Sequence, residues 1–113
     1  MSDCLFCAVA AGDIPAEVVR RSDRIVVFRD INPQAPTHVL AISVQHFDNI
    51  ADLSAGDPVL AAELLRELTV AAGELGLDSG YRVVFNTGVD GGQTVGHVHA
   101  HLLGGRLMSW PPG

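Results

Sequence analysis

Three of the five histidines, His97, His99 and His101, alternate within five residues. Side chains alternate faces along an extended strand, so three imidazoles spaced this way would share one face, with neighbours roughly 6–7 Å apart. Such a row can bind a metal ion, satisfy buried polar groups, or present a nucleophile flanked by supporting rings, and spacing alone leaves all three open. The residues just before it narrow the chemistry. Gly91-Gly92 lets the backbone come close to a ligand, and the amides of Gln93, Thr94 and Val95 that follow can face an anion. This is not a Walker loop, because no Gly-Lys-Ser/Thr follows the glycines and a strand, not a helix, comes next. Anion donors that end where histidines begin suggest phosphoryl or nucleotidyl transfer, with a neutral imidazole as nucleophile and loop amides stabilising charge on the non-bridging oxygens. The only two cysteines, Cys4 and Cys7, have a spacing that reads as half a metal site or a redox pair.

The elements that position these residues follow from periodicity and breakers. Leu5 to Ala11 predicts a two-turn helix stopped by Gly12 and Pro15. Glu17–Arg21 and Arg24–Arg29 are rich in Val and Ile, and Ser22-Asp23 between them predicts a hairpin. Thr37–Val44 resumes a β-type pattern after Pro33 and Pro36. From Pro58 to Leu75, Leu60, Leu64, Leu65, Leu68, Ala71, Ala72 and Leu75 fall at helical spacing, opposite Glu63, Arg66, Glu67 and Glu74. Asp57-Pro58 suits the start of that helix and Gly76 its end. Tyr81–Phe85 and His97–Leu103 predict two further strands, joined by the loop from Asn86 to Gly96. The expected class is α+β: a five-stranded, mainly antiparallel sheet with one long and one short helix.

With 113 residues, a single domain spanning 1–113 around one core is the expectation. No apolar run approaches the length of a membrane span, and Met1-Ser2-Asp3-Cys4 lacks the basic patch and apolar core of a leader, so a cytoplasmic location is expected. A formal charge of −6 argues against general nucleic-acid binding, so an anionic substrate must be held by local donors.

The run from Gly91 to Arg106, Gly-Gly-Gln-Thr-Val-Gly-His-Val-His-Ala-His-Leu-Leu-Gly-Gly-Arg, resembles the signature of the histidine triad family, His-φ-His-φ-His-φ-φ with φ apolar. Val98, Ala100, Leu102 and Leu103 fill every φ position. Phe28 to His38 and the ending Trp110-Pro111-Pro112-Gly113 are similar to the Hint-like branch, so the resemblance covers nearly the whole chain. It implies hydrolysis of purine nucleoside 5′-phosphoramidates, and of aminoacyl adenylates, in two half-reactions through a nucleotidyl-histidine on His99. By position, Asn86, the Thr94 side chain and His101 match residues that bind or polarise the phosphate, while Gly92, Gln93 and Val95 help through backbone or placement. His38 matches a supporting histidine, Asp30 the carboxylate that accepts from the ribose hydroxyls, and Phe6, Val9, Phe28 and Ile31 the apolar walls around a purine. Cys4, Cys7, His46 and His97 match the ligands of a structural zinc in metal-binding bacterial members, and two thiolates with two imidazoles suit tetrahedral zinc. The resemblance further implies a homodimer with a joint ten-stranded sheet, contacting through Tyr81–Phe85 or the long helix.

Three other functions compete with this one. A nucleotide-binding regulatory module would need the pocket but no nucleophile. A metallohydrolase would hold its ion on all three alternating histidines, but the motif contains no carboxylate and better cysteine ligands lie elsewhere. Dinucleoside polyphosphate hydrolysis uses the same chemistry, and the Hint-like ending disfavours it.

Overall fold

A computed structural model describes residues 4–113; Met1, Ser2 and Asp3, part of the N-terminal segment read above, lie outside it. The chain forms α1 (Leu5–Ala11), β1 (Val18–Arg21), β2 (Ile25–Arg29), β3 (Thr37–Ser43), α2 (Ile50–Gly56), α3 (Pro58–Glu74), β4 (Tyr81–Val84) and β5 (His99–Gly104). The five strands make one sheet in the order β1-β2-β3-β5-β4, with every pair antiparallel. The α+β class and five antiparallel strands are those expected from the sequence.

Alternation along the central strands gives the sheet two apolar faces. Ile25 and Val27, Val39 and Ala41, and Ala100 and Leu102 face α3 and pack on Leu60, Leu64 and Leu68, all fully buried. At roughly 25 cal/mol per Å² of apolar surface, each buried leucine contributes about 2 kcal/mol, so this layer supplies much of the stability. The alternate residues, Val26, Phe28, Leu40 and Ile42, face α1 and meet Phe6, Val9 and Ala10. His99 and His101 pair with Ile42 and Leu40 in the β3–β5 register, so they share this second face.

Local chemistry sets the helix ends. The Cys4 sulfur caps α1 by accepting the Cys7 amide, and Gly12 closes the helix at φ 81°, a left-handed conformation that glycine adopts without cost. Asp57 caps α3 by accepting the Leu60 amide at 3.0 Å, ahead of Pro58 in the first turn.

Two expectations need correction. The structure has two short helices, not one: α2 was missed because it turns only seven residues and buries only Leu53. Its signal was Asn49, whose side chain accepts the Asp52 amide at 2.9 Å. β5 begins at His99 and not at His97, because the Val98 amide leaves the ladder to donate to Phe47 O at 2.7 Å. No helix among the described residues is long and apolar enough to cross a membrane.

Candidate active site and metal cluster

On the α1 face of the sheet, α1, the end of β2 and the start of β5 enclose a cavity of about 290 Å³. Phe6, Val9, Phe28, Asp30, Ile31, Thr94, Val95, His99 and His101, nine of the candidate site residues, lie together on its wall. Leu5, Ile14, Pro15, Ala16 and Leu40 also line it and were not foreseen, since an apolar residue at a loop or helix end carries no distinguishing signal. Ile31 is 100% exposed, so it forms a lip of the cavity and not an interior wall. Asn86, Gly92 and Gln93 do not reach the wall.

The loop before β5 explains part of that difference. A Cβ at Gly91 would run into the Thr87 carbonyl oxygen, and Gly92 sits at φ 76°, so both positions require glycine. The Gly92 amide donates to Val89 O and the Gln93 amide to Gly88 O, each at 3.0 Å. The expectation that the Gln93 amide faces an anion therefore fails; that donor is used to close the turn. Thr94 and Val95, the next two residues, lie on the cavity wall, and among the described residues their amides donate to no backbone acceptor.

Hydrogen bonds fix the histidine tautomers. His99 Nδ1 lies 2.8 Å from the carbonyl oxygen of His97, which can only accept, so Nδ1 carries a proton and the lone pair of the neutral ring is on Nε2. The ring is buried and sits edge-to-face with Phe6 and with His101, centroids 5.0 Å apart in each case. Behind it, His38 Nδ1 accepts the Gln34 amide at 3.0 Å, which leaves the proton of neutral His38 on Nε2. That Nε2–H donates to His101 Nδ1 at 2.9 Å, so the proton of His101 sits on Nε2, the other nitrogen of a ring that lines the cavity. His38 itself is off the wall and meets it through its hydrogen bond to His101. No signal among the residues pointed to Gln34, which contributes through its backbone.

Burial, with the neighbouring His99 and His38, pushes the His101 pKa down to about 4, and burial likewise lowers His38 against the opposing pull of Asp30. Both rings are thus neutral near pH 7, as their tautomers require. The Asp30 carboxylate accepts the Asn32 amide at 2.8 Å with one oxygen and holds the other 3.4 Å from His38 Nε2.

A second cluster lies at the N-terminus of α1. Cys4 Sγ is 3.2 Å from His97 Nδ1, Cys7 Sγ is 3.4 Å from His46 Nδ1 and 3.5 Å from His97 Nδ1, and the two Nδ1 atoms are 3.2 Å apart. His97, 0% exposed, donates from Nε2 to Ser43 O at 2.8 Å, and His46 donates from Nε2 to the Asp48 carboxylate at 2.8 Å. Both Nδ1 lone pairs therefore converge on the sulfurs, an arrangement that calls for a cation. A tetrahedral zinc with bonds near 2.0 Å to nitrogen and 2.3 Å to sulfur separates its donors by roughly 3.3–3.8 Å; the two Cys7 distances fall in this range and the other two lie just below it. Burial pushes the Cys4 thiol up, but hydrogen bonds from Cys7 and His46 outweigh it and hold the thiol below its ordinary value, which favours a ligating thiolate. The Asp48 carboxylate raises His46. Asp48 is a functional position the sequence reading missed, although a carboxylate two residues after a candidate ligand was its signal.

The alternating histidines are thus divided. His97 turns to the cysteines, and among the described residues no cluster of metal-donor type joins it to His99 and His101. Asp30, His38 and His101 do lie together, but a proton sits between the two rings where His46 and His97 oppose lone pairs. A single metal on all three alternating histidines does not fit this geometry.

A fold with this sheet order and two histidines of an alternating triad at the mouth of a cavity defines a class, and comparison with known proteins identifies it. The HIT domain family model matches residues 11–108, so the chain belongs to the HIT domain family. It is 45% identical to an uncharacterized HIT-like protein of Synechococcus elongatus, over 98% of this chain and 97% of that protein. It is 44% identical to a 14 kDa zinc-binding protein of Zea mays, over 99% of this chain and 89% of the other. Its fold superposes on a HIT family hydrolase from Legionella pneumophila Philadelphia 1 with a TM-score of 0.94 and 51% identity, covering 98% and 100% of the two chains. A histidine triad nucleotide-binding protein from Candida albicans superposes with a TM-score of 0.84 and 29% identity, covering 96% of this chain and 83% of that one.

Proposed function

We propose that this chain hydrolyses purine nucleoside 5′-phosphoramidates, and aminoacyl adenylates, through a covalent intermediate on His99. The observation that carries the reading is the bond from His99 Nδ1 to His97 O, which leaves the Nε2 lone pair of a cavity-lining ring available for attack. In the first step Nε2 forms a bond to the α-phosphorus and the P–N bond breaks. Its electron pair leaves with the nitrogen, which departs as an amine after taking up one proton from water; an aminoacyl adenylate instead breaks the bond from phosphorus to the aminoacyl oxygen and releases the carboxylate with that pair. Water then attacks phosphorus, the P–Nε2 bond returns its pair to the ring, and the nucleoside monophosphate leaves while one proton is given back. His101 Nε2–H is the hydrogen-bond donor suited to the phosphate oxygens, and His38 holds that ring in the required tautomer.

Thr94 and the amides of Thr94 and Val95 would hold the phosphate, Asp30 the ribose hydroxyls, and Phe6, Val9, Phe28 and Ile31 the purine. Asn86, Gly92 and Gln93 would act through placement of the loop. Zinc on Cys4, Cys7, His46 and His97 would fasten α1 to the sheet, with all four positions taken by protein and no part in the reaction. β4 ends the sheet with Tyr81 and Val83 exposed, so a homodimer formed through that edge, around one domain per chain, belongs to the same proposal.

Incubation with adenosine 5′-phosphoramidate tests it. Turnover by the wild type, abolished in His99→Ala while AMP binding persists, is the expected result. AMP binding without any turnover would favour a regulatory nucleotide binder instead.

A further inference from the structure

Gln93 sits between the cavity and the cysteine cluster, and its amide is fully engaged. Nε2 donates to Asp48 O at 2.6 Å and Val95 O at 3.0 Å, while Oε1 accepts the Gly88 amide at 3.1 Å. These bonds tie both ends of the loop carrying Thr94 and Val95 to the residue whose carboxylate orients His46 at 2.8 Å. A second link is already short: the carbonyl of His97 accepts from His99 Nδ1. The four-donor cluster and the cavity therefore communicate through two bridges, one through Gln93 and Asp48, the other through the backbone of His97.

We infer that Gln93 is a positioning residue that couples the metal cluster to the phosphate loop, so that each ligand strengthens the hold on the other. The coupling rests on the zinc and nucleotide readings proposed above. A metal on His46 fixes Asp48, Asp48 O fixes Gln93, and Gln93 fixes Val95 for the phosphate. By thermodynamic reciprocity, phosphate on the loop raises the affinity for the metal by the same factor. The bridge needs an amide, because two N–H donors meet two carbonyl oxygens and one acceptor meets an N–H. A carboxylate of the same shape would set negative charge against both carbonyls, and alanine would remove all three bonds.

The test uses the full chain loaded with one equivalent of zinc. Calorimetry gives AMP affinity, and equilibrium competition with a chromogenic chelator gives zinc affinity with and without saturating AMP. In the wild type AMP should tighten zinc binding on the order of 5- to 10-fold, within the usual range of site–site coupling. Gln93→Ala and Gln93→Glu should weaken AMP by a similar factor and abolish its tightening of zinc, with the isosteric Gln93→Glu no better than Gln93→Ala. Wild-type protein that binds both ligands yet holds zinc with the same affinity with and without AMP would overturn the coupling, and this arm needs no variant to fold. Full tightening retained in Gln93→Ala would overturn the assignment to Gln93. Wild-type protein that takes up no zinc, or shows no AMP heat, would instead overturn the underlying metal or nucleotide reading, and the coupling with it.

Discussion

His97 and His99 are joined by a hydrogen bond of 2.8 Å from the Nδ1 of one to the carbonyl oxygen of the other, while the His97 side chain faces Cys4 and Cys7. One residue thus takes part in the cysteine cluster with its ring and sets the tautomer of its neighbour with its backbone. The break in the strand before His99 makes this possible, since an extended ladder would not turn the His97 carbonyl toward the His99 ring.

His38→Ala should lower kcat on the order of 10²-fold with little change in KM, because His38 holds His101 in its tautomer without touching the cavity. Steady-state kinetics on an adenosine phosphoramidate separates the two constants. A rise in KM at unchanged kcat would mean that His38 shapes the pocket instead.

Asp30→Ala should erase discrimination between ribose and 2′-deoxyribose substrates. A hydrogen bond to a charged acceptor contributes about 1.5–3 kcal/mol, so the wild type should prefer the ribonucleotide by roughly 10- to 100-fold in kcat/KM. Equal use of both sugars by the wild type would remove Asp30 from the ribose site.

Cys4→Ser should release the metal and lower Tm by roughly 5–10 °C, the shift that a loss of 1–2 kcal/mol produces in a domain of this size. Elemental analysis and calorimetry read both effects. Unchanged metal content and melting temperature would contradict a zinc site.

Acidification should destabilise the metal-free Cys4→Ser protein between about pH 6.5 and pH 4. The folded state holds His101 neutral down to about 4, with His38 lowered in the same direction, whereas unfolded histidine takes its proton near its ordinary value of 6.5. The unfolded chain therefore binds more protons across this window, and stability present above it is lost as the pH falls. Denaturant melts at several pH values should show that slope, and His101→Gln should flatten it.

Much of this was legible in the sequence because the relevant signals are local. Short runs rich in valine, isoleucine and other apolar residues marked β2 and β3, the leucine spacing marked α3, and His-x-His-x-His with Gly-Gly marked the cavity mouth. What escaped depends on partners distant in sequence or on the backbone. Gln34 acts through its amide, Ser43 through its carbonyl, and Gln93 through an amide that meets Asp48, 45 residues away. The early start given to β5 has the same origin, since periodicity cannot foresee that the Val98 amide would leave the ladder for Phe47.

The central claim is that the His99 ring becomes bonded to phosphorus during turnover. Rapid quenching of the wild type with adenosine 5′-phosphoramidate, followed by peptide mass spectrometry, tests it most directly. An adenylyl adduct on His99, absent from His99→Ala and decaying as AMP forms, is the expected result. Turnover at full rate with no adduct at any quench time, or an adduct mapped to His101, would contradict it.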